Sequence, residues 1–180
     1  SWSKRGTFRF DGEYSGEKST NWIKFIEIPQ KTNQEMEIAL SIDREGYAED
    51  VALFENNGWH LSDPSQIRTF EDLKTYYTNS RAEFSIAHNR YVKYKVGWFS
   101  ERSERNLSLG KPVLVQSTGI EKHLPTGKGL LTFSTIEEAL DGIEKINKDY
   151  LTHCKAARSI AEEYFDSDKI LKKILELVGF

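Results

Sequence analysis

The run Gly97-Trp-Phe-Ser-Glu-Arg-Ser-Glu-Arg-Asn-Leu-Ser-Leu-Gly110-Lys-Pro-Val-Leu-Val-Gln-Ser-Thr-Gly119 decides the fold. It reads in order as a glycine-bearing loop, a helix, a sharp turn, a buried strand and a second small-residue turn. Ser100 is the expected N-cap, because a serine hydroxyl accepts from first-turn amides that have no helical partner. Gly110 ends the helix, because glycine takes the left-handed backbone of a helix terminus without strain. Pro112–Gln116 is a β-rich apolar run of the kind buried on both faces of a sheet. Ser117-Thr118-Gly119 follows as a tight turn at its carboxyl end.

The same alternation extends in both directions. Upstream, Lys4–Thr20 reads as a long loop around a short strand at Thr7–Phe10. Asn21–Ile28 reads as a short helix stopped by Pro29. Met36–Ile42 is a strand, Ala48–Asn56 a helix stopped at Asn57-Gly58, Trp59–Leu61 a strand, Phe70–Thr78 a helix and Ala82–Ala87 a strand. A polar, basic connection spans His88–Trp98. Downstream, Gly129–Phe133 is a strand. Ser134 opens a helix with Glu137 at capping-box spacing, and Ile136, Ala139, Leu140, Ile143 and Ile146 recur at helical period. His153–Tyr164 and Ile170–Val178 are further helices. Strands alternating with helices define an α/β protein with a Rossmann-like parallel sheet, helices on both faces and a helical C-terminal extension. One domain over residues 1–180 accommodates it.

The chain has 180 residues, 38% of them hydrophobic, which excludes intrinsic disorder. No apolar run is long enough for a transmembrane segment, and Ser1-Trp2-Ser3-Lys4-Arg5 is no signal peptide. A single cysteine, Cys154, excludes an internal disulfide framework and a Cys-based zinc site, and suits a cytoplasmic setting. The net charge of −3 argues against a general nucleic-acid binder. Charge is nonetheless uneven. Between Arg81 and Lys128 nine Lys/Arg face four acids, which reads either as a local anion-binding region or as a solvated charged surface.

Ligands of parallel sheets bind at the carboxyl ends of the strands. Here those ends are His88, Ser117–Gly119 and Phe133–Ser134. The helix start at 100–103 offers free amides and a partial positive charge to a phosphate. Ser100 and Ser103 could add hydroxyls, and Arg102, Lys93 or Lys95 charge. An ordinary capped helix between two strands uses the same residues.

Several pieces, in constant order over roughly residues 20–180, resemble the C-terminal domain of one group of bacterial GT-B-fold glycosyltransferases. They are Ser80-Arg-Ala-Glu-Phe-Ser-Ile-Ala87, Gly97-Trp-Phe-Ser-Glu-Arg-Ser103, Gly110-Lys-Pro-Val-Leu-Val-Gln-Ser-Thr-Gly119, Leu124-Pro-Thr-Gly-Lys-Gly129 and Ala157-Arg-Ser-Ile-Ala-Glu-Glu-Tyr-Phe-Asp166. The resemblance implies a domain that binds a nucleotide-diphosphate sugar, the donor. The acceptor would lie on an N-terminal domain outside this chain, with no metal or other cofactor. A whole enzyme would be about twice as long as this chain, and the isolated half would be inactive. It also implies that the 100–103 helix start faces the diphosphate and that Lys93 or Arg102 neutralises the leaving group. His88 and Asn89 would lie near the base, Trp98 would border the site, and Glu101 or Glu104 would reach the ribose. Thr118 and Gly119 would border the sugar or phosphates, and the loop Gly12–Glu17 the cleft. One departure is clear. Two glutamates eight positions apart in many retaining members fall on Gly97 and Arg105 here, so stereochemistry and sugar stay open. A non-catalytic binding or interaction domain that kept the fold is the alternative. A small phosphotransferase is a third reading, with no acid or base to assign.

Lesser signals read as structural. Asp166-Ser167-Asp168 has metal-type spacing but sits where a helix cap is expected. Asn106-Leu107-Ser108 lies inside the expected helix. The four histidines lack ligand spacing, although His123 lies in a loop that could reach the cleft. Trp22 and Trp59 are expected in the core.

Overall fold

The computed structural model describes residues 8–10, 13–15, 18–40 and 47–179. Strands β1 (Phe8–Phe10) and β2 (Glu13–Ser15) pair as an antiparallel hairpin, where the sequence suggested a loop around one strand. Helix α1 (Lys18–Trp22) follows. The expected helix at 21–28 is instead the end of α1 and two 3₁₀ turns, Ile23–Phe25 and Ile28–Lys31. Trp22, Phe25, Ile26 and Ile28 are all buried along this stretch, and Pro29, which cannot donate to a continuing helix, stands in the second turn.

Strand β3 (Met36–Ala39), helix α2 (Ala48–Asn56) and strand β4 (Trp59–Ser62) form a parallel pair with its crossover helix. β3 stops at Ala39 rather than Ile42, and residues 41–46 lie outside the described residues. Helix α3 (Phe70–Asn79) begins with a complete capping box between Thr69 and Asp72. Strand β5 (Glu83–Ser85), helices α4 (Asn89–Tyr94) and α5 (Glu101–Ser108), and strands β6 (Val113–Gln116) and β7 (Leu130–Phe133) complete the second parallel sheet, ordered β5-β6-β7. Helix α4 lies in the expected irregular connection. It is only six residues long, too short for a helical period to show, and it ends on Lys95 at φ 48° rather than on a glycine, so it gives no terminator signal. Helices α6 (Ile136–Lys148), α7 (Tyr150–Tyr164) and α8 (Ser167–Leu177) form the helical C-terminus.

The α/β class, parallel strands and helices on both faces are as expected, with the sheet in two pieces. β6 carries both faces. Leu114 enters a core with Trp22, Phe54, Trp59, Phe133 and α6 residues Ala139, Ile143 and Ile146. Val113 and Val115 enter the opposite core with Leu107 of α5 and Ala157, Ile160 and Ala161 of α7. Aromatic rings join the two sheets: Trp22 meets Trp59 at 5.1 Å and Phe84 at 6.2 Å, and Phe84 stacks on Phe133 at 5.1 Å.

Local signals explain most boundaries. The Ser100 hydroxyl accepts from the Arg102 N–H at 3.3 Å. Gly110 at φ 68° and the bonds Gly110 N–H to Leu107 O and Lys111 N–H to Asn106 O close α5 as a Schellman motif. The α6 cap falls on Thr135, one residue after the expected Ser134. The Glu138 N–H donates to Thr135 Oγ1, while Glu138 Oε2 accepts from the Ser134 N–H. The run Ser134-Thr-Ile-Glu-Glu138 offers the capping spacing twice, and packing of Ile136 and Ala139 selects the second. Asp166 caps α8 by accepting from the Asp168 and Lys169 amides, so it acts as the cap the sequence suggested. Among the described residues, no helix is long and apolar enough to cross a membrane.

Two contacts make sharp predictions. Gly129 (φ 75°) lies against the α7 backbone, where a Cβ would stand 2.6 Å from the Ala156 carbonyl carbon. Gly129→Ala is expected to lose about 3 kcal/mol in urea unfolding, from overpacking and left-handed strain together. Beside it, buried His153 accepts from the Gly129 N–H through Nδ1 at 3.2 Å. Burial, with Lys128 nearby, lowers its pKa against the pull of Asp149. The unfolded chain therefore binds a proton that the folded chain resists. Stability is expected to fall as pH drops below about 6.5, and His153→Gln to flatten that part of a stability–pH curve.

Candidate functional site

The parallel register brings the carboxyl ends of β5, β6 and β7 to one edge. Past β6, the Ser117 N–H donates to Phe133 O at 2.7 Å, so the turn stays in register with β7. Asn21 of α1 closes the other side. Its Nδ2 donates to Ala87 O at 2.9 Å and to Gln116 Oε1 at 2.5 Å, and Gln116 Oε1 also accepts from the Ala87 N–H at 3.2 Å. Asn21 and Gln116 are both buried, so this polar clasp satisfies itself.

The loop before α5 is tied onto the same edge. The Gly97 N–H donates to Thr118 O at 2.8 Å, and Thr118 Oγ1 donates to Trp98 O at 2.6 Å. Gly119 needs φ 90°, and a Cβ there would stand 2.7 Å from Lys95 O. Lys95 Nζ donates to Ser117 O (3.2 Å) and Oγ (2.8 Å), and Ser117 Oγ donates to Glu121 Oε1 at 2.7 Å. Partial burial pushes the Glu121 carboxyl up. The Ser117 hydrogen bond, backbone N–H groups and the Lys95 charge outweigh it and hold the pKa below the usual carboxylate range.

An aromatic shelf stands beside this edge. Tyr91 of α4 stacks on Trp98 with centroids 5.1 Å apart, His88 meets Tyr91 edge-on at 5.8 Å, and the Arg90 guanidinium lies 4.9 Å from the Tyr91 centroid. His88 is the N-terminal flanking residue of α4 and Asn89 its first residue. His123 packs on Gly97, where its Cδ2 would be 3.0 Å from an added Cβ. The structure thus brings together His88, Asn89, Trp98, Ser100, Thr118 and Gly119 of the residues singled out by sequence, with His123 beside them.

Four others point elsewhere. Glu101 makes an exposed ion pair with Arg105 at 3.5 Å. Lys93 Nζ lies 5.5 Å from the Tyr94 ring centroid. Arg102 Nε stands 3.9 Å from Glu83 Oε1, and Ser103 is fully buried beside that carboxyl, on the side of β5 that faces α5. Of the early loop, residues 13–15 form β2, and Gly12, Gly16 and Glu17 lie outside the described residues.

Sequence reasoning missed Tyr91, Lys18 and Glu83. Tyr91 sits in the helix that gave no signal. Lys18 had none, being joined to the sheet only by long-range packing. Glu83 had one: Glu83 and Ser85 alternate with Phe84 and Ile86, so β5 turns a polar side toward α5. Burial raises the Glu83 pKa, against smaller opposing pulls from Ser103, Arg102, Lys18 and Asn106. The Lys18 amine is brought down to about 8, first by burial and then by Arg102, with Glu83 acting in the other direction.

Among the described residues, no group of three or more His, Cys, Asp or Glu side chains is placed to hold a metal ion. Compared with known proteins, the chain matches no family model and no curated sequence.

Gly119→Ala tests the loop tie. The added methyl meets Lys95 O and strains a left-handed backbone, so it is expected to release the 95–98 segment. The expected readout is at least about tenfold faster hydrogen exchange at the Gly97 amide, with a loss of about 2 kcal/mol in stability.

Proposed function

We propose that this chain is the nucleotide-sugar-binding domain of a glycosyltransferase, holding a nucleotide-diphosphate donor for transfer to an acceptor on another domain. The observation that carries the reading is the placement of the capped α5 start. Gly97 and Trp98 are bound to Thr118 at the carboxyl edge of a parallel sheet, and Ser100 caps α5 two residues further on. A helix start at such an edge suits a diphosphate, through its first-turn amides and the positive end of the helix dipole. Trp98 and Tyr91 give an aromatic surface for a base or sugar, and Lys95 brings a cation to the same turn. The resemblance of residues 80–87, 97–103, 110–119, 124–129 and 157–166 to the donor domain of GT-B enzymes supports the same reading.

In this reading the backbone amides of Glu101 and Ser103 orient the diphosphate and stabilise the charge that develops on the leaving nucleotide, while the Arg102 amide stays on the Ser100 cap. Binding, orientation and charge stabilisation are the contribution of these residues. The reading also carries a cytoplasmic setting and a metal-independent site.

A second reading, a non-catalytic interaction domain, is favoured by α8. Leu171, Ile174 and Leu175 on that helix are each about half exposed. One titration separates the two. Nucleoside diphosphates added to the ¹⁵N-labelled chain are expected to shift amides at 88–103 and 117–119, with one base preferred. In Trp98→Ala the affinity is expected to drop about tenfold, in line with about 1–3 kcal/mol for a stacking contact. Absence of shifts at millimolar nucleotide, in this chain and in one extended at its N-terminus, favours the interaction domain.

A further inference from the structure

We propose that Lys95 is the latch of a strap, residues 95–98, that locks onto the diphosphate of a bound nucleotide. The inference rests on the nucleotide-binding reading above and adds how that site closes. The strap joins α4 to α5 and crosses the Ser117–Gly119 turn. Its hinges show in the backbone. Lys95 sits at φ 48° and ψ 48°, in the left-handed region, and Gly97 at φ 73°. Lys95 is the only non-glycine residue with positive φ among the described residues. A residue with a side chain keeps that conformation only where its surroundings hold it. Between the hinges Val96 is 56% exposed, so little apolar packing holds the strap down.

Polar contacts do the holding. The bonds from the Gly97 N–H to Thr118 O and from Thr118 Oγ1 to Trp98 O fix the far half of the strap. Lys95 fixes the near half, through its amine on Ser117 O at 3.2 Å and on Ser117 Oγ at 2.8 Å. Ser117 Oγ gives its own proton to Glu121 Oε1 at 2.7 Å, so its oxygen is left to accept from Lys95. Glu121 is therefore a positioning residue that acts through Ser117.

The lysine keeps its charge uncommitted. An ammonium group has three N–H donors. Two of them meet neutral oxygens, and no described carboxylate lies within ion-pair distance of the amine. The third donor stays available on an exposed side chain, on the strap that leads into the Ser100 cap. A diphosphate at the α5 start supplies the oxygen that this donor lacks. The contact exists only with the strap down, so the ligand shifts the strap towards its closed form by the strength of that contact. Trp98 rides on the strap, and the same closure fixes its stacking on Tyr91.

The test follows hydrogen exchange at the Gly97 amide of the full chain by NMR, with inorganic pyrophosphate as the probe. Lys95→Met keeps the aliphatic stem and the left-handed backbone, and removes the charge with its donors. Without ligand it is expected to speed Gly97 exchange at least about threefold. Pyrophosphate is expected to slow that exchange in the unaltered chain, and Lys95→Met to weaken pyrophosphate binding about tenfold, the scale of one charge-assisted hydrogen bond. Lys148→Met removes the same charge at the far end of α6 and is expected to change neither result. Unchanged Gly97 exchange in Lys95→Met overturns the proposal. So does pyrophosphate protection that survives in Lys95→Met, and so does an equal loss of binding in Lys148→Met. Each of these leaves the nucleotide reading standing while nucleoside diphosphates still shift the amides at 88–103 and 117–119. Loss of those shifts together with pyrophosphate protection overturns both.

Discussion

The contact on which the rest depends is the aromatic column from Trp22 through Trp59 and Phe84 to Phe133. Among the described residues, two small parallel sheets, of two and three strands, have no hydrogen-bonded ladder between them. Rings at 5.1–6.2 Å supply the continuity that a ladder would otherwise give. Each edge-to-face or offset pair adds about 0.5–1.5 kcal/mol beyond its buried area. The Trp59 indole N–H is satisfied by Ile26 O at 2.7 Å, so the column buries no unmet donor there. Because Trp22 also ends α1, the same contact sets where Asn21 and Lys18 fall.

β5 serves two purposes through its alternation. Phe84 and Ile86 join the aromatic core, while Glu83 and Ser85 face α5. Its neighbour β6 is buried throughout and apolar on both faces up to Gln116, whose amide joins the Asn21 clasp. The carboxyl edge of the sheet is therefore held by a rigid central strand, and the polar chemistry sits on and beside an edge strand. That division lets polar side chains vary along β5 without disturbing the packing of Leu114, Val113 and Val115.

Much of this architecture was legible in the residues. Pro112–Gln116 reads as a doubly buried strand, and Val113–Gln116 is one. Ser100 and Gly110 bound α5 as their chemistry requires, and the Asn57-Gly58 stop follows α2. The misses share a physical cause. α4 is too short to show a period and lacks a glycine terminator, the buried Trp22, Phe25 and Ile26 fall at helical spacing although the chain takes 3₁₀ turns there, and the Thr135 cap is decided by packing. The site divided in the same way. Residues placed by strand ends and caps, such as Thr118, Gly119 and Ser100, come together. Ser103 and Arg102 share their helix start, but 100° of rotation per residue sends them to another face. Lys18 lies 65 positions before Glu83, and no local pattern connects them.

The Asn21–Gln116 bond joins positions 95 residues apart. Closing so long a loop carries a large entropic penalty, so α1 gains little by docking before β5, β6 and β7 have assembled. The helix that carries Trp22, Asn21 and Lys18 is thus a late arrival in folding. Its release is also a natural first step of local opening, one that uncovers the Ala87 and Gln116 edge while β6 stays paired on both sides.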